Sequence, residues 1–255
     1  MLDRIQNLRG LTILQLDKVA ALDIAHSAVC LMLSILLNFH ATSFAASRAS
    51  SSVTDLLLDN LSVVNVDIVF IEGSLLLWLF VLLLRMQRPE RIPFVFKSMA
   101  LFVLVRSAFI VLTHLGPYPE RSALDSNAIL RIFTSDSDLF FSGHTGAPFL
   151  LALMFWKGPR LRTFFLSASA VFAISVLLGH LHYSIDVFAA FFISYGIFDL
   201  AKFLFHREHA LFEKAGGPWA LTVYARAPVA GMRSDPSSRS PTGRAGTNDS
   251  LEKLS

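Results

Sequence analysis

Charge is scarce in this chain. Of its 255 residues only 16% are Asp, Glu, Lys or Arg, against about 25% in a soluble domain. Cysteine is nearly absent. The single Cys30 excludes an intramolecular disulfide and a thiolate metal site. The formal net charge of +3 is too small to imply a nucleic-acid partner. No internal repeat is visible, and residues 1–19 do not read as a secretory signal.

What is present is apolar: 54% of residues are hydrophobic, gathered in long runs, which points to lipid as the solvent. Six runs come near the roughly 20 residues that cross a bilayer. They lie at about 21–41, 63–84, 92–114, 143–157, 162–180 and 183–205. The fourth is short, and the last two are separated by a tight hairpin. Within lipid each span must satisfy its own backbone polar groups, so the expected fold is all-α, a polytopic membrane bundle of six transmembrane helices. Residues 1–19 carry Leu2, Ile5, Leu8 and Leu11 at roughly helical spacing among charges and read as an interfacial helix. Residues 20–206 then form the membrane domain and 207–255 a tail. From about 228 that tail is rich in Ser, Pro, Gly, Arg and Thr and is expected to be disordered.

Lys and Arg in short loops set the orientation. Arg85, Arg88 and Arg91 follow the second run; Lys157, Arg160 and Arg162 follow the fourth; Lys202, Arg207 and Lys214 close the sixth. These clusters alternate correctly to share one side with Arg4, Arg9 and Lys18. Both termini are therefore expected in the cytoplasm. Residues 42–62, 115–142 and 180–183 face the periplasm, lumen or cell exterior.

Ionisable residues inside spans are costly and need an account. Lys97, near the cytoplasmic end of the third run, is expected to snorkel. Arg106 and Glu72 lie at matching depths on neighbouring runs, so an ion pair between them is expected. His26, His40 and His114 have no partner at helical spacing and read as packed or interfacial.

Two short stretches concentrate reactive groups. Ser142-Gly143-His144-Thr145 opens the fourth run, and His180-Leu181-His182-Tyr183-Ser184-Ile185-Asp186 opens the sixth. Charge counting, which ignores these motifs, places both on the non-cytoplasmic side. His182 and Asp186 are four apart and share a helix face. The carboxylate can fix one ring nitrogen and leave the other as a nucleophile. Ser142 can cap the helix that His144 enters, and Gly143 lets backbone amides approach an anion. Phe140, Phe141 and Tyr183 beside them read as an interfacial aromatic belt.

These two motifs resemble the second and third motifs, SGH and HxxxD, of the type 2 phosphatidic acid phosphatase (PAP2) superfamily. More narrowly they resemble its sphingomyelin synthase branch, through Ser137-Asp138-Leu139-Phe140-Phe141-Ser142-Gly143-His144-Thr145 and His180 through Val187. Arg106-Ser107, Thr113, Pro117 and Pro119 look like the region that branch has in place of the first phosphatase motif. The resemblance covers roughly residues 62–205. K-x6-RP is absent, and Ser175-Val176 stands where the phosphatases have Ser-Arg. Both departures favour the synthase-like branch. Ser137 and Ser184 replace a Gly and a Thr of that branch and leave substrate choice open.

The resemblance implies a lipid phosphotransferase acting by double displacement. His182 attacks the phosphorus, Asp186 orients it, and His144 protonates the departing oxygen and then deprotonates the acceptor. Arg106, Ser142, Gly143, His180 and Asp138 are the expected phosphate-binding residues. The expected partners are a phospholipid donor and a lipid alcohol, of ceramide or diacylglycerol type. No cofactor or metal is expected. The alternatives are a lipid phosphate phosphatase with water as acceptor, a transporter or non-catalytic scaffold, and a zinc site built from His144, His182 and Asp186.

Overall fold

The computed structural model describes residues 2–86, 89–122 and 140–214, with backbone alone for 2–19 and 84–86. Among the described residues the chain is all-helical. The helices are α1 (Leu2–Ala46), α2 (Gly73–Met86), α3 (Ile92–Leu112), α4 (Gly143–Met154), α5 (Pro159–Leu178), α6 (Ser184–Leu204) and α7 (His206–Lys214). Ala20–Ala46 within α1, Pro89–Leu112, Pro159–Leu178 and Ser184–Leu204 are long and apolar enough to cross a membrane. The chain is thus an integral membrane protein by the length and composition of these helices. No break separates residues 2–19 from the span that follows them, because α1 runs unbroken to Ala46. Residues 215–255, most of the expected tail, lie outside the described residues.

The second expected span opens with a π-helical turn, Ile68–Glu72, and continues as α2 to Met86. The fourth is shorter than a bilayer crossing. α4 has 12 residues, about 18 Å at 1.5 Å per residue. Its burial explains the length. Thr145 through Pro148 and Leu150 through Met154 are all buried, with α3, α5 and α6 packed around them. A helix enclosed by protein need not present a lipid-facing surface as thick as the hydrocarbon core. Gly146 permits this packing. A Cβ there would stand 2.7 Å from Ser194 Oγ of α6 and 2.9 Å from the Phe102 ring of α3.

Helices at one end are laced by irregular segments. Ser50 N–H donates to the His114 carbonyl (2.8 Å), Val64 N–H to Leu178 (2.9 Å) and Ser122 N–H to Gly179 (2.9 Å). The Tyr183 hydroxyl donates to the Gly116 carbonyl (2.8 Å) and accepts from Val53 N–H (3.3 Å). Tyr183 is only 1% exposed and Phe141 is fully buried. They are not part of an aromatic belt at the membrane boundary. Their rings fill the space where the connecting segments meet the helices, and the Tyr183 hydroxyl is satisfied by backbone.

Asp55 makes the strongest of these ties. One carboxylate oxygen accepts from the Ser184 N–H (2.7 Å) and hydroxyl (2.9 Å), and the other from Leu57 and Leu58 N–H (2.9 and 3.2 Å). The residue caps α6 from a different stretch of chain. Burial alone would raise its pKa, but the bonds from Ser184, Leu58 and Leu57 outweigh that and hold it below the usual carboxylate value.

The opposite end is closed by α7. Lys97 does more than reach for solvent: its ammonium pairs with Glu208 of α7 at 2.5 Å, both side chains largely buried. Lys157 pairs with Glu213, and the Arg91 guanidinium lies 5.2 Å from the centre of the buried Phe212 ring.

Two expectations follow. Lys97→Ala leaves Glu208 partly buried without its partner and should lower stability by about 1–3 kcal/mol, read as a fall in the thermal unfolding midpoint in detergent. Because the folded pKa of Asp55 is depressed, its contribution is complete above about pH 4 and fades as the pH drops through the lower folded value. An Asp55→Asn protein should be less stable at neutral pH and lose less of its remaining stability on acidification. Parallel midpoint-versus-pH curves for the two proteins would contradict this.

Candidate active site

Both motifs sit at the laced end, each at the start of a helix. Ser142 is the N-cap of α4, and its hydroxyl accepts from Thr145 N–H at 3.4 Å. Its own N–H donates to the Asp186 carbonyl of α6 at 3.0 Å. That bond joins the two motifs directly, across more than forty residues of chain.

α6 begins at Ser184. Asp186, buried in its first turn, accepts at Oδ2 from Tyr183 N–H (3.2 Å) and lies 3.4 Å from His182 Nδ1. A carboxylate only accepts, so Nδ1 carries the proton in this contact and Nε2 is left with its lone pair. His182 is itself buried.

His144 occupies the first turn of α4, and its ring lies tilted against Phe70 with centroids 4.0 Å apart. Phe70 comes from the π-helical turn before α2. Pro148, four residues on, has no N–H to give the His144 carbonyl, which loosens the helix at that histidine.

Arg106 of α3 is buried, and its Nε donates to the Phe141 carbonyl at 3.2 Å. Its guanidinium lies against Gly143, where a Cβ would stand 3.2 Å from Nε and 3.4 Å from Cζ. A side chain at 143 would need the guanidinium to give way by a few tenths of an ångström. The expected Glu72–Arg106 pair is not formed. It is absent from the ion pairs of the described residues, and Glu72 is exposed on the π-helical turn. The extra residue in that turn rotates Glu72 away from the bundle and brings Phe70 inward.

His180 occupies the turn between α5 and α6 with φ of 53°. Leu181 N–H bonds to the Val176 carbonyl and His180 N–H to Leu177. This is the Schellman helix end, whose left-handed position normally goes to glycine. Here it holds a histidine that is 3% exposed. Its Nδ1 donates to the Glu120 carbonyl at 2.9 Å, and its Nε2 is buried without a hydrogen-bond partner.

The structure therefore gathers His144, His182, Asp186, Arg106, Ser142 and Gly143 at one end, with His180 beside them in the turn. Asp138 lies outside the described residues. Among the described residues no three His, Cys, Asp or Glu side chains are grouped as metal ligands. His26 faces Cys30, while His40 and His114 pack on Phe39 and Phe44, away from the motifs.

Sequence reasoning missed Asp55, Phe70 and the scaffolding role of Tyr183. Asp55 left a faint signal, an Asp preceding a short turn with free N–H groups two and three residues on. Its long-range partner, Ser184, left none.

No curated protein and no solved structure matches the chain. Residues 137–203 match the family model described as PAP2 superfamily C-terminal. That stretch holds both motifs, and over it the chain is similar to this superfamily, which supports a lipid enzyme of phosphatase or phosphotransferase type.

Proposed function

We propose that this protein transfers a phospho-head group from a phospholipid to a lipid alcohol of ceramide or diacylglycerol type, through a phosphohistidine. The observation that carries the reading is the Ser142–Asp186 backbone bond, which puts the start of α4 beside the His182–Asp186 pair. The match over residues 137–203 supports the phosphoryl chemistry. The choice of acceptor rests on the likeness of the motifs to the synthase branch and on the missing phosphatase cations.

In the proposed cycle His182 Nε2 attacks phosphorus, its N–P bond forming as the P–O bond to the diacylglycerol oxygen breaks. The charge that grows on His182 is met by Asp186 across Nδ1. His144 gives its proton to the leaving oxygen. It then takes a proton from the acceptor hydroxyl, whose oxygen displaces His182 and restores the free imidazole. The phosphoryl oxygens would meet the Arg106 guanidinium and the first N–H groups of α4, which have no intrahelical partner. Asp138 precedes this helix. His180 joins them when protonated at Nε2, because a neutral ring bonded through Nδ1 offers only a lone pair. Chemistry of this type relies mainly on positioning and charge stabilisation. With water as acceptor the same groups would make a lipid phosphate phosphatase.

The test is to incubate purified protein with labelled phospholipid, with and without ceramide or diacylglycerol, and to identify products by mass. His182→Ala should abolish turnover, and Asp186→Asn should lower kcat by about 10²–10⁴-fold, each with a near-normal unfolding midpoint. A His182→Ala enzyme of ordinary rate would sink the mechanism. Activity is expected to survive EDTA.

His180→Gly tests the turn histidine. Glycine removes a left-handed strain of about 1 kcal/mol but forfeits one hydrogen bond of similar size and the packing of a buried ring. Stability should fall by about 1–3 kcal/mol, and turnover of the protein that remains folded should fall as well.

The proposed topology has six spans, with both termini cytoplasmic and the site on the opposite face. In a Cys30→Ala background, a cysteine replacing the exposed Glu120 should react with an impermeant maleimide in sealed cells, and one replacing Gln87 should not.

A further inference from the structure

The connection between α1 and α2 presents two faces. Asp55, Leu58 and Val66 turn inward and are buried. Leu56 is 80% exposed, and Val53, Leu57, Leu61, Val63 and Val64 are exposed with it. No Lys or Arg occurs between Arg48 and Arg85. The exposed apolar residues resume beyond Asn65 and Asp67 at Ile68, which is 77% exposed, and again beyond Glu72 at Leu75 and Leu76 of α2. A contiguous exposed apolar patch on a protein marks a contact surface. Its continuity with the outward face of an apolar helix gives it the same solvent. Non-helical backbone is not tolerated in the hydrocarbon core, which sets its depth at the head-group boundary.

We propose that residues 53–64 dock on the lipid leaflet at the active-site end and hold the start of α6 at head-group depth. The coupling is direct. The segment that carries the exposed leucines also carries Asp55, whose carboxylate grips Ser184, two residues from His182. Val53 N–H on the same segment binds the Tyr183 hydroxyl. Contact with lipid and the position of the catalytic helix are thus joined through four consecutive residues, Asp55 to Leu58, and one capping carboxylate. The surface offers no cation and exposes the Asp59 carboxylate, so the attraction is apolar and gains nothing from anionic lipid. This surface does not depend on which lipid alcohol or phosphate donor is used.

The test uses the full chain with Cys30→Ala, labelled with a polarity-sensitive fluorophore at a cysteine replacing Leu56 or Val63. The vesicles are phosphatidylcholine, alone or with phosphatidylglycerol. Docking predicts quenching by nitroxides near the head group, protection from aqueous iodide, and no dependence on phosphatidylglycerol. Labels open to iodide and untouched by lipid nitroxides would overturn it. So would disulfide cross-linking of the Leu56→Cys protein between copies, which would assign the surface to a second chain. A second arm compares Leu56→Asp/Leu61→Asp with the parent on vesicle-borne and on monomeric short-chain phospholipid. The expected result is a loss of about tenfold, equivalent to about 1.4 kcal/mol, on vesicles only. An equal loss on both substrates would overturn the depth-setting role. Absence of turnover in the parent protein would count against the proposed function, while the quenching arm would still decide the docking.

Discussion

The bond from Ser142 N–H to the Asp186 carbonyl is the constraint on which the site depends. It uses an amide at the cap of α4 and a carbonyl in the first turn of α6, so it fixes two helix starts against each other. Each start brings its own chemistry: His144 on α4, and His182 just before α6 with Asp186 in its first turn. Because the bond is made by backbone, side-chain identity at either position does not set it. It needs only that both helices begin at the same level. Gly146 and Ser194 meet that need one turn further in, by letting the helices approach closely.

The buried polar groups of the site are nearly all committed to holding it together. Asp186 accepts from Tyr183 N–H as well as facing His182. Tyr183 is tied at its hydroxyl to Val53 and Gly116, and Ser184 to Asp55. A buried carboxylate without such donors would be costly. With them, it becomes a fixed acceptor whose remaining direction points at one imidazole nitrogen. Thr145 Oγ1 and His180 Nε2 are buried without a partner, and His180 also has a left-handed backbone. A residue that strains the turn and leaves a polar atom unmatched is a mark of function rather than of packing.

The two ends of the bundle are built on different principles. At the motif end, irregular segments supply backbone hydrogen bonds and one carboxylate. At the other end, α7 supplies charges to Lys97 and Lys157 and the Phe212 ring to the core. The Lys97–Glu208 pair satisfies a cation that otherwise would have to stretch toward water from within an apolar helix. α7 is amphipathic, and it could dock only where α3 and α4 leave both an apolar hollow and unmatched positive charge.

Several features were fixed by sequence alone. Long apolar runs demand helices in lipid, because only a helix satisfies its own backbone there. The four-residue spacing of His182 and Asp186 implied a meeting of the two side chains on a shared helix face; they do meet, but across the start of α6, with His182 two residues before the helix. Ser142-Gly143 demands a helix start that an anion can approach. These are local consequences of covalent geometry and solvent, and the helix positions follow them closely. Tertiary structure decided the rest. The depth match of Glu72 and Arg106 implied a pair, but a π-helical turn rotated Glu72 outward and put Phe70 on His144. Phe141 and Tyr183 looked interfacial by type, yet packing buried both. Asp55 found Ser184 across 129 residues, a distance at which no spacing rule operates. Periodicity records which face of a helix avoids water. It carries no information about which buried donor a carboxylate will meet, because that is settled only when separate segments compete for the same few unsatisfied N–H groups.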